Sequence, residues 1–133
     1  MITALVVDFS WVLAFPGSTG GLELNRELID FVKSNQSKIR SYIFSASSIV
    51  TLDKIKPQLI PPFVEIFSSK ELGLYKHQPD SYRQLAKIID TLPNQILFTD
   101  DKELNVEAAK IAGLQTFLFT DTPDLIKKIT RLL

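Results

Sequence analysis

Residues 96–114 read I-L-F-T-D-D-K-E-L-N-V-E-A-A-K-I-A-G-L. A short apolar, β-branched run (96–99) ends on two adjacent aspartates, Asp100 and Asp101. Such a run suits a buried strand. Residues 104–112 then keep helical spacing, and Gly113 is a good stop because helices commonly end on a residue in the left-handed conformation. The stretch is therefore one strand–helix unit with carboxylates at the strand's carboxyl end.

The same unit recurs on both sides. Upstream, 3–7 is an apolar run that stops at Asp8, and 15–21 holds one proline and three glycines, which predicts a loop. Leu22, Leu24, Leu28, Ile29 and Val32 fall near helical spacing and predict a helix over 22–32. A second strand is expected at 41–44 and a short helix at 49–55. Pro57, Pro61 and Pro62 are expected to break the chain before a third strand at 63–67, where Glu65 sits between apolar neighbours. Pro79 opens a helix whose stripe is Tyr82, Leu85, Ile88 and Ile89. Downstream, 115–119 predicts a fifth strand and 123–132 a last helix. Strand and helix alternate with short connections, so the fold class is α/β: a doubly wound, mainly parallel sheet with helices on both faces.

The chain has 133 residues, enough for one domain spanning 1–133 and a core that buries roughly two thirds of the unfolded surface. With no cysteine there is neither a disulfide framework nor a thiolate zinc site. Lys plus Arg and Asp plus Glu number 15 each, so no global field draws the chain to nucleic acid or an anionic membrane. No run is long enough to span a bilayer, and Asp8 interrupts an N-terminal apolar run too short for a signal peptide. A cytoplasmic location is expected.

Asp8, Ser45 and the Asp100–Asp101 pair each end a predicted strand. In open parallel sheets these ends share one edge, where ligands bind. Three carboxylates in one crevice repel one another unless a cation neutralises them, and hard oxygen donors suit Mg2+. Lys76 and the Ser45 hydroxyl can donate to a phosphate. A carboxylate beside a metal and a phosphate can act as nucleophile and form an aspartyl-phosphate. Taken singly, each residue has a plainer role: Asp8 or Asp100 as a cap, Lys76 as a surface lysine, Ser45 as a loop serine. Their joint occurrence favours the site. His77 is expected to be exposed and without a role, and Trp11 and Phe15 are assigned to packing.

Four segments together resemble the haloacid dehalogenase (HAD) superfamily of phosphohydrolases. They are V-V-D-F-S-W-V-L with Asp8, Y-I-F-S-A-S with Ser45, E-L-G-L-Y-K-H-Q-P-D-S-Y with Lys76, Pro79 and Tyr82, and the 96–114 stretch itself. The last two agree at several fixed positions, and the set covers nearly the whole chain. The resemblance implies a Rossmann-like three-layer fold with sheet order three-two-one-four-five. It implies Asp8 as nucleophile and metal ligand, with Asp101, Asp100 and the Ser10 carbonyl completing the Mg2+ shell. Ser45 and the Ala46 N–H would bind the phosphate, and Lys76 would bridge Asp8 and the phosphate, neutralising charge that builds in the transition state.

Two departures shape the expected function. Most phosphatases similar to this chain carry a second Asp two residues after the nucleophile, which protonates the leaving group and then activates water. Here that residue is Ser10, and losing such help typically costs about a hundred- to ten-thousand-fold. A branch of the superfamily reads Asp-x-Gly-x-Val there, and the Lys76 and Asp100 segments are most similar to that branch. His77, where the family usually has Pro, is a smaller departure. Secondly, the connections from Asp8 to Ser45 and from Ser48 to Pro62 are too short for a cap domain, so the site is expected to be open. The expected function is a Mg2+-dependent phosphatase acting on a phosphorylated substrate, slowed by Ser10. The alternative is a catalytically degenerate module that binds or regulates. A receiver-type signalling domain places its acidic pair early and its lysine late, the reverse of this chain, and no halide-binding feature points to dehalogenation. The open site and the apolar residues Trp11, Val12, Leu13 and Phe15 add an expectation of homo-oligomerisation.

Overall fold

Strand β1 (Ala4–Val7) explains the layering. Leu5 and Val7 enter one hydrophobic core, Ala4 and Val6 a second, because successive side chains on a strand point to opposite faces. All four are buried, as in a strand covered on both faces. The computed structural model describes the backbone of residues 1–133 and every side chain except those of residues 49 and 50.

β1 lies between β4 (Arg40–Ser45) and β6 (Ile96–Asp100), with β5 (Glu65–Ser68) and β7 (Gln115–Leu118) at the edges. Every pairing in this five-stranded sheet is parallel. Counted in chain order within the sheet, the arrangement is three-two-one-four-five, as expected. Helices α1 (Arg26–Ser34), α2 (Ile49–Leu59) and α6 (Thr122–Leu132) contribute to the core under one face. Helices α4 (Pro79–Ile88) and α5 (Glu103–Ile111) cover the other. There the Tyr82 ring meets Phe98 at 4.9 Å and Phe44 edge-on at 5.9 Å, each such pair adding about 0.5–1.5 kcal/mol beyond its buried area. The register sets Val7 opposite Thr99, and the Asp8 N–H donates to the Thr99 carbonyl at 3.0 Å. Asp8 and Asp100 therefore leave the sheet at one level.

Several local expectations need correction. Residues 22–24 are not helical: β2 (Ala14–Pro16) and β3 (Leu22–Leu24) form an antiparallel hairpin, turned by Gly20 and Gly21 at positive φ. The spacing of Leu22 and Leu24 satisfies a strand as well as a helix. Asn25 decides where the helix starts, its Oδ1 accepting the Leu28 N–H at 3.2 Å. Pro57 does not break α2. It is exposed and sits in the last turn, and the Asp53 carbonyl that it leaves without an N–H partner belongs to an exposed residue, within reach of water. A short helix, α3 (Ser69–Leu72), precedes the Lys76 loop. Val12 and Leu13 are fully buried, which removes most of the apolar surface on which self-association was expected. The hairpin and α1 occupy the connection from Asp8 to Ser45, and α2, β5 and α3 that from Ser45 to Lys76, so no cap is inserted at either place. Among the described residues, no helix is long and apolar enough to cross a membrane.

Candidate active site

The carboxyl ends of β1, β4 and β6 open into a cavity of about 340 Å³. Asp8, Ser10, Ser45, Ala46, Lys76 and Asp101 line it, while Asp100 lies beneath, fully buried. The sequence-predicted residues thus come together from three strand ends and one loop. His77 is exposed and does not line the cavity.

Lys76 ties the acids together. Its Nζ donates to Asp8 Oδ1 at 2.6 Å and lies 2.8 Å from Asp100 Oδ2. Its ammonium is buried and lies 5.6 Å and 5.7 Å from the ring centres of Phe44 and Phe98. The loop that carries it is fixed by α4, where the buried Tyr82 Oη donates to the Lys76 carbonyl at 2.6 Å. Asp100 accepts further hydrogen bonds from the Lys102 N–H and from Asn105 Nδ2, both at 3.0 Å. It does not cap α5, whose N-cap is Lys102 with no side-chain cap bond; Asp100 instead ties down the turn before that helix while it holds Lys76.

These surroundings separate the three carboxyls. Burial pushes Asp8 from its ordinary 3.8 up to about 6; Lys76 opposes that rise and the Asp100 charge adds to it. Burial also acts on Asp100, but Lys76 and the hydrogen bonds from Lys102 and Asn105 outweigh it and hold Asp100 below the usual carboxylate range. Asp101 is raised by burial, and the adjacent Asp100 carboxylate adds to the rise.

The turn after Asp8 is tight. The Phe9 carbonyl accepts the N–H groups of Leu13 and Ala14, both at 2.9 Å, and the Trp11 N–H donates to the Ala14 carbonyl at 2.8 Å. Trp11 is left-handed at φ 67°, which costs a residue with a Cβ roughly 1–2 kcal/mol. Across the cavity, Ser45 Oγ accepts the Ser47 N–H at 3.0 Å, which leaves its own hydroxyl proton free to donate. The hydroxyls of Ser10 and Ser47 lie 3.3 Å apart.

The donor set fits a hard divalent cation. Asp8, Asp100 and Asp101 each offer a carboxylate oxygen within 4.8 Å of the others. Asp101 Oδ1 is buried and has no hydrogen-bond partner, a costly state for a carboxylate that a cation would relieve. One buried lysine faces three acids, and oxygen-only ligands are what Mg2+ takes.

Sequence reasoning missed Asn105, Ser47 and Lys102 as lining residues and assigned Trp11 to packing. Asn105 was within reach: it lies five positions after Asp100, in the first turn of the next helix, where a polar side chain turns back to the strand end. Nothing in the sequence marked Ser47 or Lys102.

No family model matches the chain. It is 31% identical over 101 residues to the enolase-phosphatase E1 of Lachancea thermotolerans, a match covering 69% of this chain and 45% of that protein. The chain spans less than half the length of the curated relatives it matches. Its fold is shared with a predicted HAD-like family hydrolase from Porphyromonas gingivalis, at TM-score 0.81 and 20% identity over 99% of this chain and 98% of that one. It is shared equally with a HAD family enzyme from Bacteroides thetaiotaomicron, solved in complex with magnesium and inorganic phosphate, at TM-score 0.80 and 13% identity over 94% of this chain and 99% of that one. The sequence match and the common fold agree with the four motifs by which the chain resembles the haloacid dehalogenase superfamily.

Proposed function

We propose that this chain is a Mg2+-dependent phosphohydrolase that works through an aspartyl-phosphate on Asp8. The observation that carries this reading is the cluster itself: Lys76 Nζ at 2.6 Å from Asp8 and 2.8 Å from Asp100, beside three convergent carboxylates. The phosphatase relative and the neighbour bound to magnesium and phosphate support it.

Asp8, Asp100, Asp101 and the Ser10 carbonyl would hold Mg2+. When bound, the ion offsets the repulsion among the acids and the charge on the phosphoryl oxygens. Ser45 and the Ala46 N–H hold the phosphate, and Lys76 holds the Asp8 carboxylate and meets the charge that develops on the transferring group. An Asp8 oxygen forms a bond to phosphorus as the ester P–O bond breaks, and the leaving oxygen departs with the electron pair. Water then attacks phosphorus, releasing inorganic phosphate and freeing Asp8; its proton neutralises the departed oxyanion through solvent.

By the resemblance, Ser10 stands two residues after the nucleophile at the position of the acid that protonates the leaving group, and a hydroxyl with so weakly acidic a proton does not do so near neutral pH. The remaining carboxyls lining the cavity, Asp8 and Asp101, are engaged as nucleophile and metal ligand. The enzyme is therefore slow on poor leaving groups. A catalytically silent binding module is the competing reading, and Ser10 is the observation in its favour.

Hydrolysis of p-nitrophenyl phosphate separates the two. Turnover that requires Mg2+ and vanishes in Asp8→Asn supports the enzyme. Mg2+ binding without turnover, in a folded protein, supports the silent module.

A further inference from the structure

Trp11 is the residue of this site that packing does not explain. It holds a left-handed backbone that a bulky residue rarely adopts, yet its side chain is 54% exposed while the next two residues, Val12 and Leu13, are fully buried. Its aromatic neighbour is Phe15 on β2, edge-on at 6.1 Å. The indole lines the cavity beside Asp8, Ser45 and Lys76. Strain that packing does not offset is commonly held at functional sites. Ser10, the adjacent residue, supplies no proton to a leaving group. An aryloxide departs readily without one, whereas an alkoxide departs far more slowly.

Resting on the phosphohydrolase reading, we infer that Trp11 is the specificity-determining residue of this site, presenting its indole to a planar, aromatic leaving group on a phosphate monoester. Two independent features converge on that substrate class. The Trp11 indole offers a ring face in an otherwise polar cavity, and the missing acid favours an oxygen that is stable as an anion. The serine at position 10 and the tryptophan at position 11 are then matched halves of one selection.

Trp11 is the only tryptophan in the chain, so its fluorescence reports the contact directly. The test titrates the Mg2+-loaded protein with phenylphosphonate, methylphosphonate and inorganic phosphate, reading fluorescence and calorimetric affinity. Phenylphosphonate is expected to bind about three- to tenfold more tightly than methylphosphonate, the range of an aromatic pair, and to change the emission more than either other ligand. Trp11→Leu brings the phenyl-to-methyl ratio close to one, and Trp11→Phe retains most of it. Trp11→Gly, which relieves the left-handed strain, serves as the second truncation should Trp11→Leu not fold. Equal affinities in the wild type, or a ratio that survives truncation, overturn the inference while leaving the phosphohydrolase reading intact. Failure of the wild type to bind inorganic phosphate removes that reading and this inference with it.

Discussion

Asp8 is pulled in two directions: the proposed reaction needs its carboxylate, and its burial disfavours that form. With its pKa raised from 3.8 to about 6, the metal-free folded state holds a proton that the unfolded chain has released. This contribution to stability is complete below about pH 4 and is lost as pH rises through about 6. Asp8→Asn does not titrate, so without metal it is expected to gain on the wild type across that window, by on the order of 1–3 kcal/mol. Denaturant unfolding of both proteins at about pH 4 and about pH 7.5 measures it; a constant difference contradicts it. Ser10 is exposed, so Ser10→Asp is expected to fold and to speed alkyl phosphate hydrolysis about tenfold or more beyond any gain on aryl phosphates. Equal gains on both would show that position 10 does not face the leaving oxygen. At this scale the sequence was most legible where chemistry repeats at fixed spacing: Asp8, Lys76 and Asp101 stand out because each ends or adjoins a recognisable element. Ser47 contributes to the cavity only through the path of the chain, and Trp11 looked like any apolar residue until its exposure and backbone were known.

Among the elements, the joint between α4 and the Lys76 loop governs the site most directly. Tyr82 is fully buried and its hydroxyl donates to the Lys76 carbonyl at 2.6 Å. Tyr82→Phe leaves that carbonyl without its partner and is expected to cost about 1–3 kcal/mol. Because Lys76 is held through this loop, kcat should fall with little change in KM. Thermal unfolding and steady-state kinetics check both, and unchanged kcat in a destabilised protein would mean that Tyr82 only supports the core. Strands were legible where burial is two-sided, as in β1 and β6, and, although Ile88 of its expected stripe is exposed, α4 was legible through Tyr82 and Leu85. The hairpin was not, because Leu22 and Leu24 fit either period and Asn25 settles the matter through hydrogen bonds to Leu28, Val12 and Thr122. Two of those partners are invisible to local reading; Thr122 is 97 residues away.

For the whole molecule, charge balance overall hides an imbalance at one edge of the sheet. Fifteen basic and fifteen acidic residues cancel, yet the buried part of the site sets Lys76 against Asp8 and Asp100, with Asp101 close by. A cation that binds only the folded state stabilises it by mass action, about 2.7 kcal/mol at a hundredfold excess over Kd. Thermal unfolding is expected to shift upward with Mg2+, and Asp101→Asn to reduce the shift. A wild type indifferent to Mg2+ would contradict the metal site. The α/β class followed from alternation alone. The strand order rested on the family resemblance, since alternation is compatible with several parallel arrangements.

The central claim is that Asp8 carries the phosphoryl group, and the most direct test is to trap it there. Mg2+-loaded protein is mixed with p-nitrophenyl phosphate, quenched in acid within the first turnover, and the peptide containing Asp8 is weighed by mass spectrometry. If Ser10 does not activate water, as proposed, breakdown of the intermediate is expected to be slow. The account predicts a burst of nitrophenolate close to one equivalent and one phosphoryl group on Asp8. Turnover with no phosphoryl group on Asp8, or a burst that persists in Asp8→Asn, would contradict it.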